Sequence, residues 1–288
     1  MSFKIENLSH RYEDGTIALN EVSTCFDKGK RTALLGTNGS GKTTLLLHLN
    51  GILQPTSGKI YFENEPLNYK ADALRSLRKR VGYVFQDPND QLFAPTVKQD
   101  VSFGPLNLGL PVDEVKASVD EALEIVGMSR FVDKPPHFLS LGQKKRVALA
   151  GVLAMHPEVI VMDEPTSNLD PIASSELLHL LLKLNKESGI TLIMATHDVD
   201  MVPLYANKLC ILSESKIVVE GSPNKIFSDS DLIRKVNLRS PRITHLFEIL
   251  KKEDKLPINK ELPLTISQAR KQIIDILTSK TKKDSNRS

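Results

Sequence analysis

Gly36-Thr-Asn-Gly-Ser-Gly-Lys-Thr-Thr44 is the stretch that decides how this chain folds. It fits the spacing G-x-x-x-x-G-K-[ST], with a second threonine behind it. Ahead of it, residues 31–36 read as a short buried strand. Behind it, residues 43–49 read as a helix carrying Leu45, Leu46, Leu47 and Leu49. Strand, glycine loop and helix in that order make a cradle for phosphates. Gly36, Gly39 and Gly41 let the backbone turn tightly, so that successive N–H groups point inward. The new helix adds the positive end of its dipole at the same spot. Lys42 can reach the β- and γ-phosphates of a nucleotide, and the Thr43 hydroxyl can ligate Mg²⁺. A glycine-rich turn with an incidental lysine would not need this flanking pattern.

The chain has 288 residues, 40% hydrophobic and 25% charged, an ordinary soluble globular composition with room for one large domain or slightly more. A net charge of +3 is too small to indicate a nucleic-acid partner, and none is expected. Part of the excess lies in Lys280, Lys282, Lys283 and Arg287, expected to form a solvated, disordered tail. Two cysteines, Cys25 and Cys210, without metal-type spacing fit a reducing cytosolic compartment. The N-terminal stretch is polar and has no apolar signal core. The longest apolar run, residues 147–155, falls far short of the ~20 residues that span a bilayer. Work at a membrane would need another chain to supply the membrane part.

Outward from the loop, residues 3–8 alternate as a strand, Glu13-Asp14-Gly15 turns, and residues 17–26 read as a second strand. A strand is expected at 59–62, a basic helix at 71–79 and a buried strand at 81–85. From 97 to 138 the spacing of Val115, Val119, Ala122, Leu123 and Val126, with Pro/Gly punctuation, reads as a helical insertion. A helix is expected at 142–155, a strand at 158–162 and a helix at 171–187. A strand at 190–195 should be followed by a helix from Asp198, and 209–212 with 216–220 should form a hairpin. Strands alternating with helices predict an α/β fold, a mostly parallel sheet covered on both faces. Past Asn237 the pattern weakens to two amphipathic helices, 242–252 and 266–277, the second with Ile266, Ala269, Ile273 and Leu277 in register.

The second chemical stretch is Val159-Ile-Val-Met-Asp163-Glu164. Four apolar residues run into two carboxylates, and ligands of open α/β sheets sit outside the carboxyl ends of the strands. Asp163 is thereby placed near the Mg²⁺ held by Thr43. Glu164, with no metal to ligate, can face a water as general base. Without the glycine loop, two solvated acids capping a strand would be the better reading. Thr196-His197-Asp198 closes another buried strand at the same sheet edge, where His197 can bond a γ-phosphate or fix the attacking water. Leu139-Ser140-Leu141-Gly142-Gln143-Lys144-Lys145-Arg146 opens a helix with Ser140 as N-cap and Gly142 baring its N–H. A second anion-suited helix terminus makes sense if Ser140 and Gly142 serve a nucleotide held mainly by another subunit.

Together these stretches resemble the ATP-binding subunits of ABC transporters, with the cassette over residues 1–237. In that family Gly36, Thr37, Asn38, Gly39, Ser40, Gly41, Lys42, Thr43 and Thr44 form the Walker A loop around ATP, and Tyr12 lies where an aromatic stacks on adenine. Gln86 is the glutamine of the Q-loop, grouped with Thr43 and Asp163 around Mg²⁺ and with Glu164 and His197 in catalysis. LSLGQ at 139–143 is the signature, 159–164 the Walker B strand, Ser167-Asn168-Leu169-Asp170 the D-loop, and His197 the switch histidine. The resemblance implies a P-loop nucleotide-binding cassette with a RecA-like core, an antiparallel β subdomain and a helical signature subdomain at 97–155. A small helical extension at 238–288 would help dimerisation.

It further implies an ATPase using ATP and Mg²⁺ as a head-to-tail dimer, homotypic or heterotypic. Ser140, Gly142, Gln143 and Asp170 would meet the nucleotide of the second ATP-binding subunit. A transmembrane coupling subunit and a substrate-binding membrane component would hold the chain peripherally at the cytoplasmic face of the membrane. One residue departs from the pattern: Leu141 stands where the commonest signature, LSGGQ, has its first glycine. Gly142 keeps the backbone donor, so hydrolysis is still expected.

Phe85-Gln-Asp-Pro-Asn-Asp-Gln-Leu-Phe-Ala-Pro-Thr96 and Asp100-Val-Ser-Phe-Gly-Pro-Leu-Asn-Leu-Gly109 resemble the energy-coupling-factor branch, importers of vitamins and transition-metal ions. Lys134-Pro-Pro-His-Phe-Leu-Ser140 resembles most the cobalt and nickel members. His137 is a lone loop histidine without a ligand cluster, so the ion is expected on the membrane partners. A soluble ABC-type ATPase acting on DNA or ribosomes would usually carry tandem cassettes or a long coiled-coil insertion, and this chain has one cassette without sustained heptads. A regulator without turnover would lack Glu164.

Overall fold

The computed structural model describes residues 1–236, 238–258 and 261–285, with only the backbone described for Ser230 and residues 279–285. Strands β1 (Phe3–Arg11) and β2 (Ile17–Phe26) pair antiparallel, and β3 (Arg31–Leu35) delivers the glycine loop to helix α1 (Lys42–Leu49). Strands β4 (Ser57–Phe62) and β5 (Glu65–Pro66) complete a four-stranded sheet in the order β2-β1-β4-β5. Helix α2 (Ala71–Arg80) leads into β6 (Val81–Val84). The insertion is α3 (Val97–Asn107) and α4 (Val112–Ile125), packed on α5 (Leu141–Leu153). Next come β7 (Val159–Asp163), α6 (Pro171–Ser188), β8 (Thr191–Thr196), the single turn α7 (Val202–Tyr205), and the hairpin β9 (Lys208–Ser213) and β10 (Lys216–Gly221). The chain continues through α8 (Pro223–Phe227), α9 (Ser230–Lys235), α10 (Arg242–Lys252) and α11 (Ile266–Ser285).

The large sheet runs β10-β9-β3-β8-β7-β6, parallel except for the β9–β10 hairpin. Side chains alternate across a strand, and here the alternation feeds two cores. Ala33, Leu35, Ile160, Met162, Leu192 and Met194 face the helices of the insertion and α6. Leu34, Val159, Val161, Ile193 and Ala195 face α1 and the small sheet, against Phe3, Leu19 and Phe26. With both faces covered, β7 and β8 are buried along their whole length.

Local signals set the helix ends. Asp170 caps α6 by accepting from Ala173 N at 2.9 Å, Pro171 occupies its first turn, and Gly189 closes it at φ 69°. At the sheet edge away from the strand carboxyl ends, Lys28 and Arg80 each pair with both Glu63 and Glu158. This four-charge cluster joins the small sheet to the start of β7.

Three expectations shift. No helix starts at Asp198. Thr196 Oγ1 accepts from Asp198 N at 3.0 Å, and Asp198 Oδ1 accepts from Asp200 N at 3.0 Å. These side chains offer the backbone partners that compete with a helical turn, so α7 is confined to Val202–Tyr205. The register on α11 is only partly buried: Ala269 sits in a small core with Phe247 and Ile258, while Ile266, Ile273 and Leu277 stay exposed. Helix α11 also runs through Ser285, since no Gly or Pro interrupts it, and takes in Lys280, Lys282 and Lys283 of the expected tail. Arg287 lies outside the described residues.

Candidate active site

The parallel register sets four strand ends side by side. Leu35 of β3 pairs with Thr196 of β8, Ala195 of β8 with Asp163 of β7, and Met162 of β7 with Val84 of β6. The residues just beyond are Gly36, His197, Glu164 and, two past Val84, Gln86. Four stretches far apart in sequence thus reach one edge.

The glycine loop is shaped by its own neighbours. A Cβ on Gly36 would come within 2.4 Å of Leu212 O, and one on Gly41 within 2.3 Å of Ala18 O. Gly41 is also at φ +103°, a backbone conformation that side-chain-bearing residues rarely adopt. Thr37, Asn38 and Gly39 are exposed, Ser40 and Thr44 buried. The Lys42 amine turns back into the loop, donating to Gly36 O at 2.9 Å and Thr37 O at 3.0 Å. Burial pushes its pKa down, opposed by Glu164 and Asp163.

Thr43 Oγ1 donates to Asp163 Oδ2 at 2.5 Å. Burial holds the Asp163 carboxyl above its ordinary range, and the Thr43 bond works against that shift. Glu164 is buried too, and its Oε1 lies 2.9 Å from His197 Nδ1. The Glu164 backbone is left-handed at φ 48°, and its N–H donates to Ala195 O at 3.0 Å. Gln86 is exposed. Tyr12, 38% exposed, reaches α1 from the end of β1, with its hydroxyl 3.0 Å from Thr44 Oγ1.

The second helix terminus is built differently. Ser140 and Gln143 form a reciprocal capping box: Ser140 Oγ accepts from Gln143 N at 3.3 Å, and Gln143 Oε1 accepts from Ser140 N at 3.0 Å. A Cβ on Gly142 would meet only Ala173 Cβ at 3.5 Å and Leu169 Cδ2 at 3.8 Å, ordinary contacts. The α5 start therefore lies beside the 167–170 loop and the exposed Asp170. His137 lies against Phe138, with ring centroids 4.2 Å apart and planes tilted by 46°.

Lys145 was not singled out in the sequence. It is 3% exposed, and its amine donates to Glu164 O, Pro165 O and Ser167 O at 3.0, 3.0 and 2.9 Å. In Gln143-Lys-Lys-Arg146 it reads as one of three solvated cations. Its helical register with Ala148, Leu149 and Val152, all buried, was the signal available.

Such an edge, a phosphate-type glycine loop beside paired acids on a parallel sheet, defines a P-loop nucleotide-binding cassette. The chain belongs to the ABC transporter family, whose domain matches residues 19–167, and within it to the energy-coupling-factor ATPases. It is 54% identical over 275 residues to the energy-coupling factor transporter ATP-binding protein EcfA of Methanocaldococcus jannaschii, covering 96% of this chain and 98% of that one. The solved structure of cbiO1 from Clostridium perfringens, described as part of the ABC transporter complex cbiONQ, matches with a TM-score of 0.75 at 50% identity, over 86% of this chain and 99% of that one. A dimeric ATP-binding cassette in a post-hydrolysis state bound to ADP and Pi matches with a TM-score of 0.70 at 29% identity, over 77% and 98%. Among the described residues no helix is long and apolar enough to cross a membrane.

Proposed function

We propose that this chain is the motor subunit of an energy-coupling-factor importer for cobalt or nickel ions, acting as a head-to-tail dimer on the cytoplasmic face of the membrane. The observation that carries the hydrolytic part is the pairing of Thr43 with Asp163 and of His197 with Glu164 on the edge that also holds Lys42.

Lys42 and the loop N–H groups hold the phosphates, and Tyr12 offers its ring to adenine. Thr43 and Asp163 form a hard oxygen pair at one point, which fits Mg²⁺, and a cation there relieves the cost of the buried Asp163 carboxylate. Gln86 completes that side from the next strand. An Mg²⁺ held there would supply charge neutralisation for the phosphates. Glu164 orients the attacking water and takes its proton, and His197 fixes the Glu164 carboxylate. Ser140, Gly142, Gln143 and Asp170 close over the partner subunit's nucleotide. The room around Gly142 supports this, because the chain's own packing makes no demand for glycine there.

A groove of about 610 Å³ between α2 and α3, lined by Phe85, Gln91, Phe93 and Phe103, offers an apolar seat for a helix of the transmembrane coupling subunit. Phe93 and Phe103 are 65% and 50% exposed there. Closure of the dimer on ATP would move this groove, and the ion would be bound by the membrane component. Helices α10 and α11 of the extension, with Ile273 and Leu277 exposed, would add to the dimer contact. The choice of ion rests on the resemblance of residues 134–140 to cobalt and nickel members.

Uptake into vesicles by the complex reconstituted with a cobalt-type membrane component tests it. ATP-dependent accumulation of Co²⁺ or Ni²⁺ is expected. Accumulation of a vitamin instead would remove the ion reading and leave the ATPase in place.

A further inference from the structure

The chemistry above makes no use of Lys145. Its side chain leaves α5 one turn beyond Gly142 and runs inward. Besides the carbonyls of Glu164, Pro165 and Ser167, its amine lies 3.2 Å from Ser167 Oγ, which itself donates to Glu164 O at 2.8 Å. An ammonium has three donors, and here they are spent on one tight turn whose first residue is Glu164. Burial brings the amine's pKa down to about 8. Filling the space would need only an apolar side chain, like its neighbours on that face, Ala148 and Leu149. The amine is accounted for by the carbonyls it gathers.

The two ends of this arrangement face different places. The α5 N-terminus is exposed at Ser140, where the partner's nucleotide is proposed to dock. The other end is the turn that aims Glu164 at the nucleotide of its own subunit.

We propose that Lys145 is a positioning residue joining the two nucleotide sites of the dimer: it bolts the helix that meets the partner's nucleotide to the turn that carries this subunit's Glu164. The inference rests on the dimer reading above. A helix moves as a rigid element, so a shift of α5 on closure reaches Glu164 through three hydrogen bonds rather than through loose packing.

Lys145→Met in the full chain tests it. The variant should lower kcat about tenfold or more while KM for ATP stays within about twofold, since aim is lost and binding is not. Lys145→Arg, which can still donate to several carbonyls, should recover most of kcat. Ser167→Ala, a milder change at the same turn, should lower kcat in the same direction by a smaller factor, and it keeps the test open if Lys145→Met folds poorly.

Mixed dimers of differently tagged copies locate the effect. With Lys145→Met on one copy and Glu164→Gln on the other, the surviving Glu164 sits in the turn that lost its lysine. Turnover should then fall about tenfold below that of a Glu164→Gln and wild-type pair. With both substitutions on one copy, the surviving Glu164 keeps its own lysine and turnover should match that reference. Equal losses in the two arrangements, or a kcat of Lys145→Met equal to wild type, would overturn the inference. Failure of ATP to dimerise the Glu164→Gln chain would instead sink the dimer reading.

Discussion

Helices α1 and α5 both open with a glycine near an anion-suited N-terminus, yet the two glycines answer to different neighbours. Around α1 the constraint is internal. Gly36 and Gly41 are pressed against Leu212 O and Ala18 O, and Gly41 holds a left-handed backbone. Around α5 it is not: Gly142 is helical, and a methyl group there would find ordinary contacts. The first loop is shaped by this chain's own fold. Among the described residues, nothing in the second requires a glycine, which fits the role proposed for Gly142 against the partner's nucleotide.

The largest expected effect bears on whether α1 and the neighbouring acids do chemistry at all. Glu164→Gln should lower turnover by ~10²-fold or more while ATP still binds, and should trap a dimer visible by size-exclusion chromatography. Wild-type turnover would remove Glu164 from its proposed role. Lys42→Ala should come next, weakening ATP about 10- to 100-fold in a calorimetric titration through the loss of a charged phosphate contact.

The glycines themselves give the direct contrast. Gly41→Ala should destabilise the fold by about 1–3 kcal/mol in urea melts, from the clash at Ala18 O. Gly142→Ala should melt like wild type and yet lose about tenfold in turnover, because its methyl group crowds the partner's nucleotide. Matching stability losses at both positions would erase the distinction.

A pH-dependent effect sharpens the inward character of α1. His48 on this helix is fully buried, with Nδ1 bonded to Thr44 O at 2.7 Å, and burial lowers its pKa from 6.5 to about 4. Between those values the unfolded chain binds a proton that the folded chain refuses. Stability therefore falls as the pH drops from about 6.5 towards 4, by about 2 kcal/mol at pH 5 on this group's account. His48→Gln should flatten that slope in urea melts at pH 7 and pH 5.

The parallel sheet and the gathering of the glycine loop, Asp163, Glu164 and His197 at its edge were legible because both depend on local pattern. Apolar runs such as residues 159–162 and 191–195 are short and bounded, and the glycine loop carries its spacing in nine consecutive residues. What stayed hidden depended on the particular partners of polar side chains, near or far along the chain. Lys145 looks like any surface cation until the turn at Glu164 folds against it. The helix expected from Asp198 fails because Thr196 and Asp198 bond the backbone locally, a competition that apolar spacing does not register. On α11 the register was visible, but whether this chain covers it was not: only Ala269 of that row is buried.

Glu164 shows a conflict between durability and use. Its left-handed backbone at φ 48° costs a glutamate about 1 kcal/mol or more relative to glycine. For the fold alone, glycine or asparagine would be the better occupant. A search among variants for heat resistance would therefore tend to discard the carboxylate, and on the role proposed for Glu164 the hardier chains it selected at this position would be idle ones.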